Sequence, residues 1–488
     1  MAIGFGDCCL PGLAERFSLI IAHYRPAESL GAIGSTKEFL IGLRKFAGID
    51  PSRLARRTFE RWRNSDKLPL PVAEAICRMY PALQREVLFS PTIEAFRKGV
   101  GEYIQAQARW AFARAHVSTA RHRLAQLARQ HYVDRGVTDG KHPLLCEHGW
   151  LLSKFVELRE FDDFVSAHDA SLPPPLVQRL PGGAGTFADT VAPRTVGSGA
   201  ETRNNDEYRL TFARPTEHGL QLTFGPSKYL DYVNGLEVLA AEIADADLNG
   251  TLGHLPMRSA LGDPFNLATR AAIAGVNVVL LTLNYRPPNT ADVGDYFWIH
   301  VRATGAFEAQ NVRHVVPAGS HGPSGVGFPD TVRDIPLWRT IMRELLQEVF
   351  GIEGAVIDTD DGSDPLDAPA SRDLATALRN PQIARFYLTG LGLDPLTTKP
   401  EILAVGVLDM AALRRRTSAR MVRGNFEGVM HPIKLTKDAL REQALSEAIQ
   451  PPMLPAGAAA LLQAANLLDV ILADFVTPPI SHQVRRSR

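Results

Sequence analysis

Residues 312–319 read VRHVVPAG, and residues 334–352 read DIPLWRTIMRELLQEVFGI. The first stretch is apolar and ends in turn residues, as a short β-strand does. In the second, Pro336 suits the first turn of a helix and Gly351 suits its C-terminal cap. Its apolar residues recur at helical spacing and are Ile335, Leu337, Ile341, Leu345 and Val349. The two stretches therefore predict a strand, a loop and an amphipathic helix.

The polar face of this helix carries Arg343, Glu344, Gln347 and Glu348. Glu344 and Glu348 are four residues apart, so their side chains are neighbours, and two like charges there cost about 0.2 to 0.5 kcal/mol unless a cation offsets them. Mg²⁺ takes carboxylate oxygens and commonly shares them with phosphates. A solvated helix face is the alternative interpretation of the pair.

The strand, loop and helix resemble the Nudix signature, G-x5-E-x7-R-E-U-x-E-E-x-G-U, in which U is a bulky aliphatic residue. Gly319 corresponds to the opening glycine, and Arg343, Glu344, Leu345 and Glu348 correspond to the arginine, glutamate, aliphatic residue and final glutamate. The resemblance implies a Nudix-like α/β/α sandwich with a mixed sheet. It also implies a nucleotide-type small molecule, a nucleoside diphosphate linked to a second group X, whose phosphoanhydride is attacked by water with the help of Mg²⁺ (or Mn²⁺).

The chain departs from the signature at four places. Gly319 and Arg343 are separated by 23 residues where the signature has 13, so the loop contains an insertion of ten. The insertion has no glutamate, and the nearest carboxylate, Asp334, precedes Arg343 by nine positions instead of eight. Gln347 replaces the first glutamate of the E-E pair, and the ending V-F-G is one residue longer than x-G.

The resemblance assigns a role to each candidate site residue. Glu344 and Glu348 would hold the metal, and Arg343 would orient a glutamate. Glu401 would be a further downstream ligand, and a glutamate at a strand edge or in a loop is the alternative interpretation. Gln347 would occupy the place of the missing carboxylate. Gly319 and His314 are the candidate substrate-binding residues.

The remaining sequence after residue 206, here called the body, predicts an α+β fold. YRLTFA and LQLTFG alternate like paired strands, and the pattern of residues 229–246 predicts a helix. Further strands are predicted at VNVVLLTLNY, YFWIHVRA and EILAVGVLD, followed by a closing helix. The likeness covers roughly residues 205–475. We expect a strand-helix lead-in over residues 207–262, a Nudix-like domain over residues 263–480 and a basic tail over residues 481–488.

Residues 1–170 predict an all-helical N-terminal domain, and the Pro- and Gly-rich residues 171–206 predict a linker or long loop. FLIGLRKFAGIDPSRLARRT resembles a helix-turn-helix of the Cro/repressor type, shortened in its recognition helix. Candidate DNA or phosphate contacts are Arg53, Arg56, Arg57, Arg61 and Arg63. In the alternative function, the Nudix-like part of the chain is a non-catalytic ligand sensor, and the N-terminal domain binds DNA or a protein partner. A helical interaction domain with solvated arginines is the alternative.

The chain contains 53 Lys and Arg and 53 Asp and Glu, so its formal net charge is zero. Residues 1–135 nevertheless carry 21 basic residues against 12 acidic ones, and the acidic surplus lies in the remainder. Four scattered cysteines do not suggest a disulfide framework. These features, with no expected signal peptide and no expected membrane segment, predict a cytoplasmic protein. They leave open whether it is a monomer or an oligomer.

Overall fold

The computed structural model describes residues 7–10, 13–23, 61–62, 67–79, 85–161, 165–167, 173, 180, 186–190, 204–287, 292–303, 311–323, 334–352, 366, 371–425 and 428–477. The chain forms two compact units. The first unit comprises Met1–Ala115 and Pro175–Asn204, and the second comprises His116–Pro174 and Asn205–Arg488.

The strands are β1 Asp7–Cys9, β2 Lys67–Pro69, β3 Leu151–Glu157, β4 Val165–Ala167, β5 Asp206–Thr216, β6 Gly219–Lys228, β7 Gly275–Tyr285, β8 Gly294–Arg302, β9 Arg313–Val315, β10 Ala318–Ser320, β11 Ala384–Leu393, β12 Pro400–Asp409, β13 Gly424–Asn425 and β14 Gly428–Lys434. The α-helices are α1 Leu13–His23, α2 Leu70–Met79, α3 Arg85–Leu88, α4 Ile93–Asp134, α5 Leu158–Phe161, α6 Tyr229–Tyr232, α7 Val238–Asn249, α8 Pro256–Leu261, α9 Leu337–Glu344, α10 Arg372–Leu378, α11 Met410–Arg416, α12 Lys437–Leu445 and α13 Pro455–Val476. Helices and a mixed sheet together make the protein α+β.

The first unit has its own apolar core. β1 pairs with β2 in antiparallel register, and buried side chains of α1, α2, α3 and the first half of α4 pack together. Arg16 is fully buried in this unit and donates hydrogen bonds to the carbonyls of Leu88, Ser90 and Thr92. The charge is therefore buried with its donors satisfied, as a buried guanidinium requires.

The second unit is built on a nine-stranded mixed sheet. Its strand order is β13-β14-β8-β7-β12-β11-β3, with β9 added to β8 and β10 added to β7. β7 and β12 run parallel, and the other pairs in this sheet are antiparallel. A separate sheet of three strands has the order β4-β6-β5.

Each face of the large sheet is covered by a core. One core joins alternate residues of β7, such as Val276 and Val278, to α9 and to the small sheet. The other joins the intervening residues, such as Val279 and Leu281, to α12 and α13. Helix α13 has the length and composition that a membrane span needs, but 56% of its most apolar window is buried inside this unit.

Most of the predicted elements of the body are present. The predicted pair of strands is β5 and β6, and the other predicted strands are β7, β8 and β12. The predicted helix at 229–246 is α6 continuing through a π-helical turn, Val233–Glu237, into α7. VRHVVPAG forms two short strands instead of one, because the chain pairs first with β8 as β9 and then with β7 as β10.

The expectation of an all-helical domain over residues 1–170 was wrong at the short strands β1, β2 and β4 and, most clearly, at β3. Its sequence, LLSKFVE, alternates: Leu151 and Phe155 pack against one core of the sheet, and Leu152 and Val156 pack against the other. Successive side chains of a β-strand point to opposite faces of the sheet, so this sequence presents apolar residues to both faces. Since β3 pairs with β11, this part of the expected helical head belongs to the second unit.

The boundary between the units therefore differs from the one expected at residue 170. The first boundary falls between Ala115 and His116, within α4. The expected linker, residues 171–206, lies mostly outside the described residues, but Phe187 is buried and its ring meets that of Trp110 edge to face at 6.4 Å.

Candidate functional site

The helix that carries the candidate carboxylates has a regular first part and a wider second part. α9 begins after Pro336, and Leu337 and Ile341 are buried on its apolar face. From Leu345 to Val349 the backbone is π-helical, with Phe350 N–H donating to the carbonyl of Leu345 over 3.2 Å. Such insertions into α-helices are frequent at functional sites.

Glu344 lies against the backbone of Gly319 in β10. A Cβ atom at position 319 would stand 2.5 Å from Cδ of Glu344 and 2.7 Å from its Oε1. A side chain there would push the carboxyl group of Glu344 aside, so the glycine is what lets this group approach the strand. The side chain of Glu344 is 17% exposed, which leaves the group in partial contact with solvent.

Glu348 meets the same strand one residue earlier. Its Oε2 accepts a hydrogen bond of 2.9 Å from the backbone N–H of Ala318. Glu348 is 4% exposed, and a buried carboxylate requires such donors to replace lost water. The two glutamates predicted from their helical spacing therefore converge on consecutive residues of β10.

Arg343 connects the helix to the loop that follows β10. Its Nη1 donates to the carbonyl of Gly322 over 3.0 Å, and its Nη2 lies 3.4 Å from the carbonyl oxygen of Ser320. The ion pair with Glu344 is longer, at 3.5 Å. Holding the loop backbone is therefore the better-formed contact of this arginine, and orienting a glutamate is the weaker one.

Gln347 is half buried on the π-helical turn, and its backbone carbonyl accepts a hydrogen bond from Gly351 N–H over 3.2 Å. Gly351 has a φ of 67° and ends the helix, as predicted. Asp334, the carboxylate nearest the position of the missing signature glutamate, forms an ion pair of 3.0 Å with Arg339. Asp334 thus stabilises the start of the helix.

Glu401 lies on the other face of the sheet. In the registers of β7 with β12 and with β10, Glu401 is beside Gly275, whereas Gly319 is beside Val276. Adjacent residues of a strand point to opposite faces, so Glu401 and Glu344 approach β7 from opposite sides. Glu401 contacts Gly275 closely, and its Oε2 accepts a hydrogen bond of 2.8 Å from Nδ2 of Asn277.

The three glutamates expected to share a metal are therefore brought together only as a pair. Within the described part of the chain, no group of three His, Cys, Asp or Glu side chains could hold a metal ion. Oxygen ligands of Glu344 and Glu348 still suit a hard cation such as Mg²⁺, which commonly uses one or two carboxylates together with substrate phosphates.

His314 is directed toward helix α13. It pairs with His300 across β8 and β9, and its Nδ1 would stand 2.7 Å from a Cβ at Gly457 in that helix. Burial, followed by the nearby charge of Arg302, holds the pKa of His314 well below its usual value. His314 therefore packs against α13 as a neutral imidazole.

His321 is the residue of this region that the sequence did not single out as functional. It follows β10, is fully buried, and its Nδ1 lies 2.8 Å from Oγ1 of Thr340 on α9. The rings of Tyr208 and Phe224 flank it at 4.9 and 4.7 Å. Burial, followed by the charge of Arg343, lowers its pKa to about 3. No pattern of metal spacing marks this histidine, because its partners come from distant elements.

The described residues include one of the five arginines of the helix-turn-helix-like segment. Arg61 is exposed in a short helical piece, and Arg53, Arg56, Arg57 and Arg63 lie outside the described residues. The DNA contacts predicted for them stay predictions.

No protein-family model matches this chain, and no curated protein matches it.

Proposed function

We propose that the second unit contains a Nudix-like body that binds a nucleoside diphosphate linked to a second group. The convergence of Glu344 and Glu348 on consecutive residues of β10 is the observation that carries the proposal. Arg343 adds a contact between the same helix and the loop after β10. This strand, loop and helix are the parts that resemble the Nudix signature, and the α+β arrangement around them agrees with that resemblance.

Glu344 and Glu348 are the residues that would hold Mg²⁺ (or Mn²⁺). Bound there, the cation would neutralise phosphate charge and polarise the phosphoanhydride or an attacking water. Glu401 drops out of the ligand set, because it contacts the opposite face of β7. Gln347 contributes no charge, so the site is less anionic than the full signature would make it.

The chain's own residues shape the remainder of the site. Gly319 leaves room for the carboxyl group of Glu344, and Arg343 fixes the backbone of Gly322. His321 and Thr340 hold the loop and helix together from the buried side. A ligand phosphate would approach from the side on which Glu344 is partly exposed.

The test is binding and hydrolysis of ADP-ribose and UDP-glucose by the full chain, with and without Mg²⁺. Glu344→Gln should weaken Mg²⁺-dependent binding and lower any hydrolysis by about tenfold or more, because it removes a charged ligand of the cation. Glu442→Gln, at an exposed position on α12, is the matched control. Equal behaviour of the two variants, or no binding of either compound, would contradict the proposal.

A second candidate function is a ligand sensor without catalysis, in which the N-terminal part of the chain binds DNA or a protein partner. It is favoured by Gln347 in place of a carboxylate and by Glu401 on the opposite face of the sheet. Binding of ADP-ribose without product release would support it. Its DNA version requires that the full chain bind duplex DNA with an affinity that falls as salt rises; insensitivity to salt would eliminate that version.

A further inference from the structure

An arginine-rich segment of the second unit lies outside the candidate site. It comprises α11 and the chain that follows as far as β13, and residues 410–425 read MAALRRRTSARMVRGN. The segment contains five arginines and no aspartate or glutamate. All five are exposed and are here called the arginine surface: Arg414, Arg415, Arg416, Arg420 and Arg423.

The backbone of this segment is held by the rest of the unit. Leu413 is fully buried under α11. The N–H of Val422 donates to the carbonyl of Val349 over 2.9 Å, at the end of the π-helical turn, and the N–H of Met430 donates to the carbonyl of Arg423 over 2.8 Å. The exposed arginine side chains therefore extend from a positioned backbone.

No neighbouring carboxylate neutralises the charges of the arginine surface. In the part of the chain that the structure describes, none of its five side chains forms an ion pair or a hydrogen bond. Arg414 lies over the ring of Tyr285, with 5.7 Å between its guanidinium carbon and the ring centroid. Burial raises the pKa of Tyr285, and the charges of Arg423 and Arg414 lower it in part, so both arginines lie near this ring.

The positive surplus remains when acidic residues at the borders are counted. Asp409 lies at the start of α11, where its carboxylate accepts a hydrogen bond from the backbone. Asp292 and Asp295 flank the start of β8, which pairs with the end of β7 at Tyr285. Setting all three against the five arginines still leaves two positive charges, without counting the exposed Arg286. Such a surplus favours an anionic partner.

The arginines are too widely directed to meet on one small anion. Successive residues of an α-helix point about 100° apart, so Arg414, Arg415 and Arg416 present their charges in different directions. Arginines in a last helical turn also stabilise the helix end, but Arg420 and Arg423 lie beyond α11 and have no such role. A partner that meets the whole arginine surface therefore carries several negative charges along its length.

Nucleic acids and anionic membranes are the two partners with that charge distribution. The guanidinium group suits phosphate oxygens, because it can donate two parallel hydrogen bonds. Membrane-surface segments also insert exposed apolar side chains between the lipids. In residues 410–425 the large apolar side chains are buried or half-buried instead. A nucleic acid is therefore the better match.

We propose that the arginine surface binds the phosphate backbone of a nucleic acid without reading its bases. Contacts to phosphates give affinity and position but carry no sequence information directly. The proposal does not depend on the function proposed for the β10–α9 site or on the N-terminal arginines, because the arginine surface shares no residue with either.

The probes are a fluorescently labelled oligothymidylate and a labelled DNA duplex of mixed sequence, titrated with the full chain at several salt concentrations and followed by anisotropy. The triple variant Arg415→Ala, Arg416→Ala and Arg420→Ala should raise the Kd of both probes by about tenfold or more. It should also reduce the slope of log Kd against log salt for oligothymidylate by about 2, since each phosphate contact to a single strand contributes about 0.7.

The matched control removes the same charge from scattered exposed positions of the second unit. The triple variant Arg135→Ala, Arg214→Ala and Arg441→Ala should bind both probes like the wild type. Arg420→Glu, which changes one exposed side chain beyond α11, should also weaken binding and keeps the test valid if the first triple variant disturbs the fold.

Vesicles that contain phosphatidylserine test the membrane alternative. Vesicle binding without nucleic-acid binding would overturn the proposal. So would equal weakening by the two triple variants, or a wild-type Kd and salt slope in both Arg420→Glu and the first triple variant.

Discussion

Gly319 is the residue on which the geometry of the carboxylate pair depends most directly. Gly319→Ala would place a methyl group 2.5 Å from Cδ of Glu344, so the carboxyl group at the end of that flexible side chain has to move away from β10. We expect a loss of about 1 kcal/mol in the free energy of unfolding, at the low end of the range for overpacking. Urea denaturation measures it, and Gly253→Ala is the control because a Cβ there meets nothing within 4 Å.

The double variant Gly319→Ala with Glu344→Ala locates the cause. Removing the carboxyl group should recover most of the lost stability, since the two positions would no longer collide. If the double variant is as unstable as the sum of the single ones, the contact between Gly319 and Glu344 is not the source of the loss.

His321 should give the protein a measurable dependence of stability on pH. Burial lowers the pKa of His321 in the folded state to about 3, whereas the pKa of a histidine in the unfolded chain is near its ordinary value of 6.5. Below that value the unfolded chain takes up a proton that the folded chain does not, so stability is lost as the pH falls from 6.5 toward 3. The loss is about 1.4 kcal/mol per pH unit.

Unfolding free energies at pH 7 and pH 5 test this expectation. His321→Gln should reduce the difference between the two pH values by about 2 kcal/mol relative to the wild type. His254→Gln, at an exposed position, should leave the difference unchanged. A pH dependence that is the same in both variants would show that His321 does not titrate as its burial requires.

At the scale of elements, apolar periodicity was enough to predict α9, β5, β6, β7, β8 and β12. It failed at β3, where Ser153 and Lys154 interrupt the apolar residues and the short helix α5 follows directly. The alternation there has meaning only once β11 lies beside it and both faces are covered. Pairing with a strand more than 200 residues away is not a local property of the sequence.

Prediction of the candidate site from the sequence is limited in the same way. The spacing of Glu344 and Glu348 determines that they share a helix face, and the likeness to a known motif placed Gly319 near them. The face reached by Glu401 depends on the register of β7 with β12 and with β10, and a shift of one residue would reverse it. Register between distant strands cannot be read from one sequence, so the sequence alone could not show that Glu401 and Glu344 lie on opposite faces of the sheet.

At the scale of the whole molecule, the basic residues that cause the charge asymmetry are divided between the two units. The basic surplus of residues 1–135 includes Arg121 and Arg129, which lie in the part of α4 that belongs to the second unit. It also includes Arg16, whose charge is enclosed by backbone carbonyls in the first unit. Part of the basic surplus therefore lies apart from the arginines proposed to contact DNA, which, except for Arg61, are outside the described residues.

The separate cores of the two units predict separate unfolding transitions. Phe96 is fully buried in the core of the first unit, and Leu345 is fully buried in the second. Truncating either to alanine should cost about 2 to 5 kcal/mol in its own core. In differential scanning calorimetry, Phe96→Ala should lower the midpoint of one transition and Leu345→Ala that of the other. The division of the chain into two units between Ala115 and His116 is the basis of this expectation, and α4 runs through that boundary. A single transition that both variants lower equally would mean that this helix couples the two cores into one cooperative unit.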